Sequence, residues 1–193
     1  MTKNEVIQRF GGTPRDWQKH KNPDGKLRGW KHRMADVHAG AILINDSVVV
    51  GYGSRIGYGS SIGYGSRIGA RSSIGDGSRI GDGSSIGDGS SIGHGSRIGA
   101  LSSIGDGLDL SKCVFVKGSA HWVTPSDVRS LSIGCEKHTL DTWLADYVSI
   151  GAWNGYTPAQ IQEYGAILRF YATLPSTAWP VKITAPGAKE PRP

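Results

Sequence analysis

The sequence predicts a mainly β chain in which hexapeptide repeats form a parallel β-helix, flanked by an N-terminal cap and a small C-terminal α+β module. Three observations lead to this fold class. An aliphatic residue recurs at every sixth position from Ile44 to Val116. Between Val50 and Asp109 the chain consists of ten hexads of the form I-G-x-G-S-x, and two capped helical patterns follow.

A period of six fits neither a helix, which repeats every 3.6 residues, nor a simple strand, which alternates with period two. It fits a short strand followed by a tight corner, because glycine allows the positive φ and the close backbone approach that corners need. The aliphatic side chains are expected to stack inward while each rung pairs with the next along a parallel ladder. These inward positions are Ile44, Val50, Ile56, Ile62, Ile68, Ile74, Ile80, Ile86, Ile92, Ile98, Ile104, Leu110 and Val116.

The hexads resemble those of the bacterial transferase hexapeptide-repeat proteins, whose chains form left-handed parallel β-helices of triangular section. The left hand is implied by the resemblance, since the general crossover rule favours the right hand. The resemblance also implies a homotrimer and, as the commonest activity, acyl transfer with a histidine as general base. It is specific for the fold, whereas function depends on the residues displayed on it.

The pattern divides the chain into four segments: an N-terminal cap (1–43), the β-helix (44–116), a β/helical module (117–175) and an irregular tail (176–193). Because a β-helix ends in an exposed apolar cross-section, something must cover it. Trp17 and Trp30 are the side chains that we expect to do so at the N-terminal end.

The C-terminal module is expected to contain strands over 113–116, 120–123 and 131–135, with a turn at 124–127. Two helices should follow. The first begins at Thr139, and the second has Thr157 as N-cap, Pro158 at its first position and Gln160 completing a capping box. This stretch resembles a module at the end of hexapeptide-repeat proteins of tailed phages and prophages. The similar motifs are Ile133-Gly134-Cys135, His138-Thr139, Trp143 and Gly155-Tyr156-Thr157.

The net charge of +6 is concentrated at the N-terminus, where residues 1–43 carry nine Lys and Arg against four Asp and Glu. Such an arm can attract a polyanion, but no nucleic-acid module accompanies it, so we expect a solvated cap and no nucleic-acid partner. Neither a signal peptide nor a membrane-spanning run is present in the sequence, which predicts a cytoplasmic protein with no membrane partner. Cys113 and Cys135 are then most simply two reduced thiols.

Three hexads should complete one turn, so residues 18 apart lie above one another. One face then stacks arginine on arginine, which is unfavourable unless something compensates the charge. An aspartate of the same face, an acidic face of a neighbouring subunit or a bound anion such as phosphate are the three candidates. The predicted ligand-binding residues of this face are Tyr58, Asp76, Arg79, His94 and Arg97. One whole turn carries tyrosines at its corners, which favours subunit packing: Tyr52, Tyr58 and Tyr64.

We therefore predict a non-enzymatic, phage-type homotrimer that binds an anionic small ligand between subunits, such as a host signalling nucleotide that it would sequester, and that needs no cofactor. Two alternatives stay open: an acyltransferase with His94 as its base, although no loop interrupts the hexads, and a structural spacer or virion component. A Cys2His2 zinc site is a further, weaker alternative in the C-terminal module. Its four residues would be Cys113, His121, Cys135 and His138.

Overall fold

The structure, a computed structural model, describes residues 1–183 and confirms the predicted mainly β fold. A left-handed parallel β-helix forms the middle of the chain, and short strands stack into three parallel sheets along it. These two-residue strands are β3 (Asp36–Val37), β4 (Ile42–Leu43), β5 (Val49–Val50), β6 (Arg55–Ile56), β7 (Ser61–Ile62), β8 (Arg67–Ile68), β9 (Ser73–Ile74), β10 (Arg79–Ile80), β11 (Ser85–Ile86), β12 (Ser91–Ile92), β13 (Arg97–Ile98), β14 (Ser103–Ile104) and β15 (Leu108–Asp109).

Each strand of the repeat turns one residue outward and the following isoleucine inward, as alternation along a strand requires. The isoleucines from Ile56 to Ile104 are at most 3% exposed and form one continuous core. Successive turns approach so closely that only glycine fits beside them. A Cβ added to Gly81, for example, would lie 2.4 Å from the backbone nitrogen of Ala100.

The β-helix begins and ends earlier than the predicted range 44–116. Its first two-residue strand is Asp36–Val37, which pairs in parallel with β6. The prediction that Ile44 points inward is wrong: Leu43 is fully buried and Ile44 is 43% exposed, because Val50 follows Leu43 after a step of seven positions instead of six. At the other end Leu110 closes the core, and Val116 pairs in the antiparallel sheet of the C-terminal module instead.

The N-terminal segment consists of a helix, α1 (Lys3–Phe10), and a hairpin of β1 (Trp17–Lys21) and β2 (Leu27–His32). The helix was not predicted, although Thr2 and Glu5 form a capping box at its start. Strand β2 joins the β-helix by pairing in parallel with β5.

The end of the β-helix core is covered by polar side chains of the hairpin rather than by the two tryptophans. Asn22 is buried and exchanges two hydrogen bonds with the backbone of Leu43, through its Nδ2 at 2.8 Å and its Oδ1 at 3.1 Å. Trp17 and Trp30 are buried in a separate cluster with Val6 and Val49. The expectation that the tryptophans cover the end is therefore corrected.

The C-terminal module is an antiparallel sheet of β16 (Val116–Lys117), β17 (Trp122–Asp127), β18 (Ser130–Ile133) and β19 (Glu136–Thr139), covered by α2 (Leu140–Trp153) and α3 (Pro158–Thr173). Both helix starts are confirmed, with Thr139 and Thr157 as N-caps and the capping box at Gln160. The predicted turn at 124–127 is wrong, since these residues continue β17 and the chain reverses at Val128 and Arg129.

The first part of the predicted irregular tail is ordered. A 3₁₀ helix over Ser176–Ala178 leads to buried Trp179, and β20 (Val181–Lys182) pairs antiparallel with β15. The prolines at 186, 191 and 193 lie outside the described residues. Within residues 1–183, none of the helices combines the length and the hydropathy that crossing a membrane requires.

Candidate functional site

The candidate site lies on the sheet that runs β13-β10-β7-β4. Arg79 and Arg97 are direct partners in the parallel ladder between β10 and β13, as their separation of 18 residues predicts. Both side chains are exposed, because Ile80 and Ile98 take the inward positions beside them. Neighbouring strands lie about 4.8 Å apart, so the structure stacks two like charges at that spacing.

A shallow groove follows this arginine ladder and is closed on one side by the C-terminal module. Ser61 and Ile44 continue the groove floor beyond the arginines, and Trp122 of β17 forms its wall. Trp122 reaches this position because it packs directly on a corner glycine: a Cβ added to Gly99 would lie 2.6 Å from Cβ of Trp122. No sequence pattern marks this tryptophan as part of the groove, since its place depends on how the module packs on the β-helix.

No carboxylate among the described residues forms a salt bridge with Arg79 or Arg97, whereas Arg55 on another face has Asp36 at 3.9 Å. The one acidic side chain that lines the groove is Asp82, and its Oδ1 already accepts the backbone N–H of Tyr64 at 2.7 Å. The groove thus presents two exposed guanidinium groups whose charges no carboxylate within residues 1–183 pairs directly. A guanidinium fork matches the oxygens of a phosphate or a carboxylate.

The other three predicted ligand residues, Tyr58, Asp76 and His94, do not line this groove. They lie at a corner of the β-helix and form a ladder of their own. The backbone N–H of Tyr58 donates to Oδ1 of Asp76 at 2.8 Å, and the backbone N–H of Asp76 donates to Nδ1 of His94 at 3.0 Å. The side chains of Asp76 and His94 therefore satisfy backbone donors that the corner would otherwise leave to water.

The same corner arrangement recurs around the β-helix. Asp88 accepts the backbone N–H of Ala70 and Asp106 accepts that of Asp88, each at 2.8 Å. The aspartates of the hexads are thus acceptors that link successive turns. This role has a signal in the sequence. The third position of the hexad carries an aspartate, and 18 residues earlier the chain has another corner residue whose N–H it can accept.

The hydrogen bond from the backbone of Asp76 selects one tautomer of a neutral His94. Because Nδ1 accepts a hydrogen bond from the backbone, a neutral His94 carries its proton on Nε2. A general base needs a free ring nitrogen, and in this tautomer Nε2 is a donor. The geometry therefore adds no support for the interpretation of His94 as the base of an acyltransferase.

The turn of three tyrosines is exposed, as its corner positions require. Tyr52, Tyr58 and Tyr64 are 48%, 64% and 60% exposed. Two of them rest edge-on against histidines, Tyr52 on His32 with ring centroids 5.1 Å apart and Tyr58 on His38 at 5.2 Å. The rings leave apolar surface uncovered on every corner of this turn.

Three residues of the zinc alternative have other contacts, and the fourth, Cys135, is a free, exposed thiol. Cys113 packs against the β-helix core, and burial, helped by Asp109, raises the pKa of its thiol to about 12. His121 contacts Tyr156, and Nε2 of His138 lies 3.0 Å from Glu136. In the part of the chain that the structure describes, no three such side chains come close enough together to hold a metal ion.

Comparison with known proteins supports the assignment of the hexapeptide repeat, and it identifies no specific function or ligand. Residues 71–106 match the family model described as bacterial transferase hexapeptide (six repeats). No curated protein matches the chain at a significant level. Together with the parallel β-helix, the match supports placing this segment in the transferase hexapeptide superfamily.

Proposed function

Starting from a hexapeptide-repeat β-helix that belongs with the transferase hexapeptide superfamily, we propose that the protein is a non-enzymatic homotrimer that binds an anionic small ligand along its arginine ladder. The observation that carries the proposal is the register pair of Arg79 and Arg97, exposed and without a salt-bridged carboxylate among the described residues. Two adjacent guanidinium groups repel each other, and a bound anion removes this repulsion while each fork donates to its oxygens.

The wall of the groove favours a nucleotide over inorganic phosphate as the ligand. Trp122 lies beside the arginines and is only partly buried. An aromatic face of this kind stacks on a base, which contributes about 1–3 kcal/mol in known single-strand complexes. A nucleotide whose phosphate lies on Arg79 and Arg97 and whose base lies on Trp122 uses both parts of the groove.

Two observations support the proposal of a homotrimer: the exposed turn of three tyrosines, and the similarity to hexapeptide-repeat proteins. Hexapeptide-repeat proteins commonly form homotrimers. Three half-exposed rings at one level of the β-helix leave aromatic surface at its corners, and aromatic side chains of this kind are enriched where subunits pack side by side. Sedimentation at micromolar concentration should show a trimer. A monomer would contradict this part of the proposal.

The ligand proposal is tested by a thermal-shift panel of nucleotides, followed by calorimetry of any that stabilise the protein. A ligand that binds only the folded state raises stability by RT ln(1 + [L]/Kd). The wild type should respond to at least one nucleotide, and Arg79→Ser/Arg97→Ser should lose that response. The control Arg55→Ser/Arg71→Ser removes the same charge from other positions and should respond like the wild type. Equal responses in all three proteins would contradict the site and favour a structural spacer.

A further inference from the structure

A second cavity lies in the C-terminal module, between its sheet and the helices α2 and α3, and its lining differs from that of the arginine groove. Its volume is about 110 Å³. The walls are mostly apolar and aromatic, and five side chains define them: Trp143, Tyr147, Ile150, Ile161 and Leu168. For comparison, an engineered apolar cavity of about 150 Å³ binds benzene. The space is thus of the order of one small ring.

Helices α2 and α3 form one wall of the cavity. Close contacts between them keep them from moving together and filling it. A Cβ on Gly151 would lie 2.8 Å from Cγ1 of Ile161, and a Cβ on Gly165 would lie 2.5 Å from the ring of Tyr147. At these two glycines α2 and α3 are already in contact. Moving them nearer to each other would force side chains into backbone, because packed interiors deform little.

A polar pair lies at the edge of the cavity. Nδ1 of His121 lies 2.6 Å from the hydroxyl of Tyr156. Burial raises the pKa of Tyr156 to about 12, so the phenol stays neutral. Its hydroxyl and Nδ1 pair with each other, and Nε2 of His121 has no hydrogen-bond partner among the described residues. Nε2 is therefore the ring nitrogen left to pair with a ligand in the cavity.

The other polar groups nearby are already occupied. The hydroxyl of Tyr164 donates to the backbone oxygen of His121 at 3.0 Å and accepts the backbone N–H groups of Ala120 at 3.1 Å and His121 at 2.5 Å. The carboxylate of Glu136 has His138 at 3.0 Å and Nδ2 of Asn154 at 3.2 Å. Because Glu136 lines the cavity, a negatively charged ligand is disfavoured there.

The β-helix contributes a strained residue to the same cavity. Leu101 stands where the hexad pattern has glycine, with φ at +59°, a conformation that a bulky residue rarely adopts. It is 55% exposed and lines the cavity. Its side chain is the part of the wall that the β-helix contributes.

We infer that this cavity binds a small neutral molecule with one aromatic ring and one oxygen acceptor, of the phenol or benzaldehyde class. The ring occupies the space between Trp143 and Ile161, and the oxygen accepts the Nε2 proton of His121. The carboxylate of Glu136, which lines the cavity, selects against acids.

The test is calorimetry of the full chain with phenol and with toluene, which has the same size but no acceptor. The wild type should bind both saturably, and phenol more tightly. His121→Phe should weaken phenol by about 3- to 10-fold, as loss of one hydrogen bond predicts, and should leave toluene unchanged. The control His38→Phe alters a histidine far along the chain and should change neither. An equal effect of His121→Phe on both ligands would overturn the assigned role of His121.

Two further variants test the cavity itself. Ile150→Trp should fill the space and abolish binding of both ligands, with a cooperative melt showing that the variant folds. Leu101→Gly removes one wall and should weaken both ligands, whereas Arg71→Gly makes the same substitution at an equivalent strained corner and should not. If Ile150→Trp does not fold, the comparison of Leu101→Gly with Arg71→Gly decides whether the ligands bind in this cavity. Absence of saturable binding by the wild type, or equal affinity in Leu101→Gly and Arg71→Gly, would overturn the inference.

Discussion

The backbone N–H of Asp76 donates to Nδ1 of His94 over 3.0 Å, one turn further along the β-helix. This contact places the single histidine of the hexads in the series of corner acceptors that is otherwise formed by aspartates, such as Asp82 beneath Tyr64. His94 therefore has a role in joining turns that needs no catalysis. Substitutions of His94 by Asp and by Ala test this structural role.

We predict that His94→Asp is as stable as the wild type within about 0.5 kcal/mol, because an aspartate accepts the same N–H at other corners. His94→Ala should lose about 0.5–1 kcal/mol, since a net hydrogen bond contributes about that much. Urea unfolding of the three proteins measures the difference. Equal stability of His94→Ala and the wild type would show that the contact contributes nothing.

The core prediction concerns Ile80, which lies in the middle of the stack and is 3% exposed. Ile80→Asp should unfold the β-helix, because an isolated buried carboxylate costs several kcal/mol (about 3–5) when nothing pairs with it. The neighbouring Arg79→Asp points outward and should leave a cooperative melt within a few degrees of the wild type. Similar melting of both variants would mean that the inward register is wrong.

The third prediction concerns Arg71, which has φ at +56° at a corner where most hexads have glycine. Arg71→Gly should raise the free energy of unfolding by about 0.5–1 kcal/mol, because the left-handed conformation costs a side chain about 1–2 kcal/mol and the greater freedom of glycine in the unfolded chain offsets part of that. The reverse change Gly77→Ala, at φ +67°, should lower it. Chemical denaturation that ranks Arg71→Gly below the wild type would contradict this account of the corners.

Much of the fold follows from sequence because the hexad period depends on local chemistry repeated many times. The pairing of Arg79 with Arg97 needed only the separation of 18 residues. The inward position of Leu43 was missed because one extra residue in the loop before Val50 shifts the period, and the apolar Ile44 occupied the expected place. Periodicity cannot detect such a shift where both neighbours are apolar.

The C-terminal errors have a different cause. Strand β19 is Glu-Lys-His-Thr, which contains no apolar residue to mark it, and Thr-Pro-Ser-Asp has turn composition although it lies within β17. Pairing with β18 overrides both local preferences. The place of Trp122 in the groove and the contact of His121 with Tyr156 depend on tertiary packing, so a single sequence carries no signal for them.

The fourth prediction is a pH dependence from Cys113. Burial raises the pKa of this thiol from 9.0 to about 12, so the folded state holds the proton more firmly than the unfolded chain does. Its contribution to stability is fully present below pH 9 and is lost as pH rises from 9 towards 12. The loss of stability between pH 8 and pH 10 should be smaller in Cys113→Ala than in the wild type, whereas exposed Cys135→Ala should match the wild type. Identical pH slopes in all three would contradict the burial of this thiol.

The central claim is that three chains assemble and hold an anion at Arg79 and Arg97, and native mass spectrometry of the purified protein with added nucleotide tests it most directly. The account predicts a trimer that retains nucleotide in the wild type, and a trimer without nucleotide in Arg79→Ser/Arg97→Ser. A monomer, or nucleotide retained equally by both proteins, would contradict it.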